Sequence, residues 1–295
     1  DARKMPVLAL AKGAGTKAKM EATSTNRPPV ASDAVILKSE KQLAVTGEHS
    51  AVLRITYAKR ILSYNGKKRE AELKIPYNSA SQSARIIQAV TIPPGGQRSK
   101  ISPDEINIMD AGWNAGAKRY PAGKSVVANL PNVEIGSTIE VELEITETNL
   151  PFVAGFESFQ FPDELKTKTV ELTAPAGLKI HHFISGAAGN IRQRISSGEG
   201  QQSFTWTATN VSALPAESQL PPEWVYDSGV NFYVGNVNDY YRELEHTLLN
   251  RAGQGAQASA LAKQLTAPAT NRLDALRIIR DYVVQNIRLA GPDFA

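Results

Sequence analysis

The strongest constraint on the fold of this chain is a short segment, residues 139–146, in which apolar and polar side chains alternate strictly. Side chains two positions apart on a strand point to the same side, so this segment has one apolar face and one polar face. The apolar face consists of Ile139, Val141, Leu143 and Ile145, and the polar face of Glu140, Glu142, Glu144 and Thr146. The pattern predicts an antiparallel sheet with one buried side. We interpret the acidic row as a solvated face rather than a cation site, because metal ligands converge from several directions.

Similar short segments, separated by turn signals, extend from residue 31 to residue 214 without a helical stretch between them. Val52–Tyr57 and Arg85–Ile92 are rich in β-branched residues, and Pro93-Pro-Gly-Gly96 is a strong turn. Tyr64-Asn-Gly-Lys67 is typical of a type I′ hairpin, with Glu70–Tyr77 as the returning strand. The sequence therefore predicts a mainly β chain with an antiparallel β-sandwich over residues 31–214.

The pattern changes after residue 214. Residues 215–237 are predicted to form a Pro- and aromatic-rich connector, and residues 238–295 a helical segment. Asn238 or Asp239 is expected to cap the first helix, and Asn271 the last one. The last helix has an apolar stripe formed by Leu273, Leu276, Ile279, Val283 and Ile287. We expect this stripe to dock on a face of the first helix formed by Tyr240, Leu244 and Leu248.

Charge and composition narrow the classes of function. Residues 1–30 contain six basic and two acidic side chains, a balance of +4 that equals the net charge of the whole 295-residue chain. We interpret this part as a basic, flexible N-terminal segment, and because the rest is neutral we expect no nucleic-acid partner. No apolar run reaches the ~18 residues of a membrane span. The absence of Cys excludes disulfides and a thiol nucleophile, so we predict that the chain is not itself an enzyme.

Other candidate site residues have simpler interpretations. His181 and His182 are adjacent in a predicted strand, so they should point to opposite faces and not share a metal; we expect no metal site and no cofactor. An aromatic set could bind a sugar or a peptide, but domain packing is the favoured interpretation. Acidic residues near it, Glu217, Glu223 and Asp227, are expected to be solvated. The aromatic set consists of Trp206, Trp224, Tyr226, Phe232, Tyr233, Tyr240 and Tyr241.

The order of these features resembles the domain of unknown function 3857 family, a β-sandwich that precedes a transglutaminase-like core in exported bacterial proteins. The likeness covers about residues 31–290. The segments that carry it are residues 31–40, the strand and turn at 86–96, Leu130–Gly136 with the alternating strand, residues 204–217, and the helix at 272–288, which is similar to the start of the transglutaminase-like core.

The resemblance implies a non-catalytic module that acts as a scaffold or presents substrate to a catalytic part of the same polypeptide. In that family the segment after the last helix supplies the catalytic cysteine, and we expect this chain to end before it. It also implies export to the periplasm or cell surface, with the signal peptide absent from this chain. The alternative is an independent sandwich domain that binds a glycan or a peptide. The sequence assigns no residue to catalysis, to a cofactor or to a metal.

Overall fold

A computed structural model describes residues 32–112, 122–186, 190–214, 227–253 and 255–287. Within these ranges the chain is mainly β, as predicted, with three sheets and a helical C-terminal segment. The predicted N-terminal segment, residues 1–30, lies outside the described residues, as do the connector residues 215–226 and residues 288–295.

The largest sheet has eight strands, in the spatial order β12-β13-β10-β1-β2-β8-β4-β5. Neighbouring strands are antiparallel, except that β1 and β10 run parallel. In chain order these strands are β1 (Ala34–Gly47), β2 (Ser50–Ile61), β4 (Gln82–Ile92), β5 (Ser99–Lys100), β8 (Thr138–Glu147), β10 (Glu164–Pro175), β12 (Arg192–Gly198) and β13 (Gln201–Val211).

Two three-stranded antiparallel sheets accompany it. The first has the order β11-β14-β9, from β9 (Ala154–Ser158), β11 (Ile180–Ser185) and β14 (Gly229–Val234). The second has the order β3-β7-β6, from β3 (Glu72–Asn78), β6 (Ile106–Asp110) and β7 (Gly123–Asn129). Strand β14 lies inside the predicted connector, so that prediction missed a strand at residues 229–234.

Both small sheets cover the same face of the large sheet. On β2, Leu53 packs against the apolar core under the β11-β14-β9 sheet, whereas Ile55 and Tyr57 pack against the core under the β3-β7-β6 sheet. Residues two apart on a strand point to one side, so the two cores lie side by side on one face. The alternating segment is β8, and its Ile139, Val141 and Leu143 are buried as predicted.

The described helices are α1 (Tyr64–Glu70), α2 (Val237–Gly253), α3 (Ala256–Thr266) and α4 (Arg272–Asn286), with a 3₁₀ turn at Pro103–Glu105. Asn271 caps α4 as predicted, since its side chain accepts a hydrogen bond from the Asp274 amide at 2.9 Å. Helix α2 begins earlier than predicted, and the side chain of Asn236 accepts from the Asn238 amide at 3.1 Å.

The predicted hairpin at Tyr64–Lys67 is wrong, because this segment forms helix α1. The Ser63 hydroxyl accepts a hydrogen bond from the Gly66 amide at 3.0 Å, which satisfies a donor in the first helical turn. Gly66 lies so close to strand β1 that a Cβ atom there would be 2.2 Å from the Asp33 carbonyl oxygen. Strand β3 does follow, but it pairs with β7 in a different sheet.

Candidate functional site

Two lysines occupy positions of the large sheet where alternation would place apolar residues. Lys168 shares its side of β10 with Val170, Leu172 and Ala174, all buried. Lys41 lies opposite Val170 on the neighbouring strand β1, so it points to the same side. Burying an ammonium group in an apolar core is costly unless the charge is paired and hydrogen-bonded. These two lysines therefore form a polar region inside the apolar core under the β11-β14-β9 sheet, which we call the first core.

Glu157, on strand β9 of the opposing small sheet, pairs with both lysines. One of its carboxylate oxygens lies 2.7 Å from Lys41 Nζ and the other lies 3.1 Å from Lys168 Nζ. Lys168 Nζ also donates to the Ser158 carbonyl oxygen at 2.6 Å, and it lies 5.1 Å from the ring centroids of Phe159 and Phe161. We call Lys41, Glu157 and Lys168 the charged seam. It connects the large sheet to the first small sheet.

Burial affects the protonation of Lys168. The side chain of Lys168 is 3% exposed, and removal from water lowers its pKa, an effect that the nearby Glu157 carboxylate opposes. A lysine with a lowered pKa is a candidate nucleophile in many proteins. Here, however, the amine contacts Glu157, a backbone carbonyl and two aromatic rings. This arrangement favours a structural role for Lys168.

A second set of ion pairs holds helix α1 against the strands. Asp163 is buried and accepts a hydrogen bond from the Ala34 amide at 3.1 Å as well as one from the Arg69 guanidinium. Lys59 Nζ contacts Glu70 at 3.0 Å. Burial, reinforced by the Glu70 carboxylate, raises the pKa of Tyr57, so this phenol stays neutral. We call Lys59, Arg69, Glu70 and Asp163 the α1 ion pairs.

Two concave spaces adjoin these charges. Lys41, Leu53, Glu147, Glu157 and Phe232 are among the residues around a cavity of about 110 Å³, well below the roughly 300–1,000 Å³ of a typical ligand site. A larger opening of about 530 Å³ is lined by the α1 ion pairs together with residues of β3. The cations of both sets already contact carboxylates, so the geometry favours locking the sheets together over binding a charged ligand.

Asp227 corrects one expectation. It was predicted to be solvated, but it is buried and accepts hydrogen bonds from the Ser158 hydroxyl and, at 2.9 Å, from the Ser228 amide. Its carboxylate thus connects the start of β14 to the end of β9. Glu217 and Glu223, predicted to be solvated with it, lie outside the described residues.

The acidic row on β8 has the basic neighbours that a solvated sheet face commonly has. Glu144 contacts Arg85 at 2.7 Å, Glu142 contacts Arg54 at 3.5 Å, and Glu140 contacts Arg98. The row thus lies on the solvent-facing side of the sheet, as predicted, and the structure adds the arginine partners. Such exposed pairs contribute little to stability, typically ~0–1 kcal/mol each.

The adjacent His181 and His182 point to opposite faces of the first small sheet. His181 stacks on Tyr233, with ring centroids 4.4 Å apart, while His182 packs edge-on against Phe204 and Trp206 on the opposite face, as predicted. Burial lowers the pKa of His182, which favours its neutral form. Within the described residues, no group of three or more His, Cys, Asp or Glu side chains is placed to hold a metal ion.

The predicted aromatic set separates into three parts. Trp206 and Phe232 belong to the first core, which confirms the packing interpretation for them. Tyr233 lies on the outer face of the first small sheet. On α2, the ring centroid of Tyr240 is 4.5 Å from that of Phe152, and the neighbouring Tyr241 is 59% exposed. Trp224 and Tyr226 lie outside the described residues.

The apolar stripe of α4 is not docked, so the expected contact with Tyr240, Leu244 and Leu248 is wrong. Leu273, Leu276 and Ile287 are 55–61% exposed, and Leu248 on α2 is 58% exposed. Helix α4 contacts α3, and Ile279 is the one stripe residue that is partly buried, while the other four are exposed. None of the described helices combines the length and apolar character that crossing a bilayer requires.

Comparison with known proteins agrees with the fold. A family model described as "Domain of Unknown Function with solved-structure structure" (DUF3857) matches residues 48–215. A crystal structure from Parabacteroides distasonis ATCC 8503, described as a candidate protease, is 21% identical, with a TM-score of 0.76 over 87% of this chain and 51% of that chain. This chain thus spans about half the length of that protein.

Other matches are weaker. An M1 zinc metallopeptidase from Deinococcus radiodurans is 14% identical over 68% of this chain and 42% of that one, and its TM-score of 0.34 is too low to support an argument. No curated protein matches the sequence.

Proposed function

Since this chain belongs to the DUF3857 family, we propose that it is the non-catalytic β-sandwich module of an exported bacterial transglutaminase-like protein. In this proposal the sandwich is a scaffold, or presents substrate, for a catalytic part of the same polypeptide. The helices α2–α4 then form the beginning of the catalytic domain. Export to the periplasm or cell surface is part of the proposal and derives from the sequence resemblance.

The observation that carries the proposal is the exposed apolar stripe of α4. Leu273, Leu276, Val283 and Ile287 form one helical face, and each is at least 42% exposed. Soluble proteins rarely leave a contiguous apolar patch in water unless it binds something. An adjoining domain of the same polypeptide is a natural occupant, because the solved structure from P. distasonis extends well beyond the part that this chain matches.

The proposal also places the catalytic residues outside this chain. A transglutaminase-like reaction needs a thiolate activated by His, and the chain has no Cys. Among the lysines that the structure describes, Lys168 is the one with a lowered pKa, and its amine is buried and paired with Glu157. We therefore propose that this chain contributes stability and positioning, and that the reacting groups belong to the following segment.

The test begins with the reading frame that encodes this chain. We expect it to continue into a segment with a Cys followed by a His and an Asp. Expressed separately, that segment should bind the 295-residue chain, and Leu276→Asp on α4 should abolish the binding. The matched control is Ile195→Asp on the edge strand β12, where the side chain is 53% exposed; this variant should bind as the parent does.

Two results would contradict the proposal. A stop codon directly after residue 295 would favour the alternative of an independent ligand-binding domain. Equal binding by the Leu276→Asp variant and the parent would show that the α4 stripe is not the contact surface.

A further inference from the structure

The outer face of the β11-β14-β9 sheet has a regular set of side chains. Val230, Phe232 and Val234 of β14 are buried toward the core, so the alternate positions point outward. The pairing register arranges the outward positions of the three strands in rows. These rows are His181–Tyr233–Ala154, Phe183–Asn231–Phe156 and Ser185–Gly229–Ser158.

None of these nine positions is occupied by Asp, Glu, Lys or Arg. The outer face of the large sheet is different, since it has Glu140, Glu142 and Glu144 with arginine partners. Exposed sheet faces normally contain charged side chains for solubility. An uncharged outer face with aromatic rings is therefore suited to a neutral ligand.

An amide at the centre of this face lies between two aromatic rings. Asn231 faces Phe183 on one neighbouring strand and Phe156 on the other. Its amide nitrogen donates to the Ser185 hydroxyl at 3.2 Å, which fixes the orientation of the amide. Phe183 is 58% exposed, so its ring is available to a ligand.

The position of the Phe156 ring depends on Gly229. A Cβ atom at residue 229 would lie 2.3 Å and 2.5 Å from two carbon atoms of that ring, so the ring lies across the glycine backbone. In the row next to that of Phe156, Tyr233 stacks on His181. On its other side Tyr233 lies opposite the small residue Ala154. The small residues thus leave room for the rings to lie along the sheet surface.

We propose that this outer face binds a neutral oligosaccharide. The aromatic rings would stack against the C–H faces of pyranose rings, and the amide and hydroxyl groups of Asn231 and Ser185 would hydrogen-bond to sugar hydroxyls. Three strands span about 10 Å, enough for roughly two sugar rings. A bound extended peptide would instead pair with the backbone of a strand edge. The site is separate from the proposed contact surface on α4, so either proposal can fail alone.

The experiment titrates the 295-residue chain with cellopentaose, maltopentaose and chitotetraose by isothermal calorimetry. We expect saturable binding of at least one sugar, with equal affinity at 50 and 500 mM salt, because a neutral ligand is insensitive to screening. Phe183→Ala should weaken that binding about tenfold, the usual order for loss of an aromatic contact residue. The matched control is Tyr64→Ala on α1, where the ring is 60% exposed.

Phe183→Ala should keep the melting temperature of the parent, since the ring is largely in solvent. Asn231→Asp serves as a second variant that nearly preserves shape and should also weaken binding. Lack of saturable binding to all three sugars would overturn the proposal, as would equal affinity of the parent and the Phe183→Ala variant. Self-association of the parent in sedimentation experiments that Phe183→Ala removes, without sugar binding, would identify a protein contact surface instead.

Discussion

Large apolar side chains are buried in the sandwich but exposed in the C-terminal helical segment. In the sandwich, inward-facing residues such as Leu165, Leu172 and Trp206 are fully buried, whereas Leu273 and Leu276 on α4 are more than half exposed. Both regions have clear amphipathic patterns in the sequence. The difference lies in the available layers, because two small sheets cover one face of the large sheet while no described layer covers the α4 stripe.

The charged groups show a similar contrast. In the sandwich, the buried ammonium of Lys168 contacts Glu157, and the buried carboxylate of Asp163 contacts Arg69. On helices α2 and α4 the ion pairs are local and exposed, such as Arg242 with Asp239 one turn away. The sandwich therefore pairs its buried charges across different parts of the fold, whereas the described C-terminal helices keep their ion pairs at the surface.

The largest expected effect tests the charged seam. Glu157→Ala removes the carboxylate between Lys41 and Lys168, and it should cost about 3–5 kcal/mol of unfolding free energy, because it leaves a buried lysine without its partner. Denaturant unfolding followed by circular dichroism measures the change. Adding Lys168→Met to this variant should recover much of the loss. If Glu157→Ala unfolds at the same denaturant concentration as the parent, the seam does not stabilise the sandwich.

A matched pair of leucines compares the two regions directly. Leu172→Ala opens a cavity in the first core and should cost about 2–5 kcal/mol. Leu276→Ala changes an exposed position on α4 and should change stability by no more than about 0.5 kcal/mol. The same denaturation measurement serves both variants, and equal losses would show that the α4 stripe is packed in solution.

The smallest expected effect depends on pH. Burial raises the pKa of Tyr57 in the folded chain, whereas an unfolded tyrosine ionises near pH 10. Stability from the neutral phenol is therefore present below about pH 10 and lost above it, by roughly 1.4 kcal/mol for each further pH unit. The parent should lose stability relative to Tyr57→Phe only in this alkaline range. A constant difference between the two proteins from pH 7 to pH 11 would contradict the buried phenol.

Local patterns in the sequence predicted much of the sandwich. The alternation in β8 and the Asn271 cap of α4 are encoded by residues close together in the chain, and both are confirmed. Helix α1 was mistaken for a hairpin because Gly66 is needed for a contact with Asp33, more than thirty residues away. Strand β14 was missed because its partners β9 and β11 are distant in sequence.

The sites were less predictable than the fold. Lys168 does leave a signal, since it shares a strand face with Val170 and Leu172, but its partner Glu157 is identified only by the packing of two sheets. The burial of Asp227 is not evident from the sequence, because one of its hydrogen-bond partners, Ser158, is 69 residues away. Its other partner is the adjacent Ser228 amide. The expected docking of α4 failed for a related reason: an apolar stripe predicts a contact without specifying its partner.

Hydrogen exchange followed by mass spectrometry tests the contrast between the two regions most directly. On the 295-residue chain, amides of β1, β2 and β10 should exchange only through global unfolding, because these strands lie at the centre of the large sheet. Amides of α4 should exchange orders of magnitude faster, as expected for a helix with few buried contacts. Protection of α4 equal to that of β10 would contradict the account and show that the helical segment is already part of one cooperative fold.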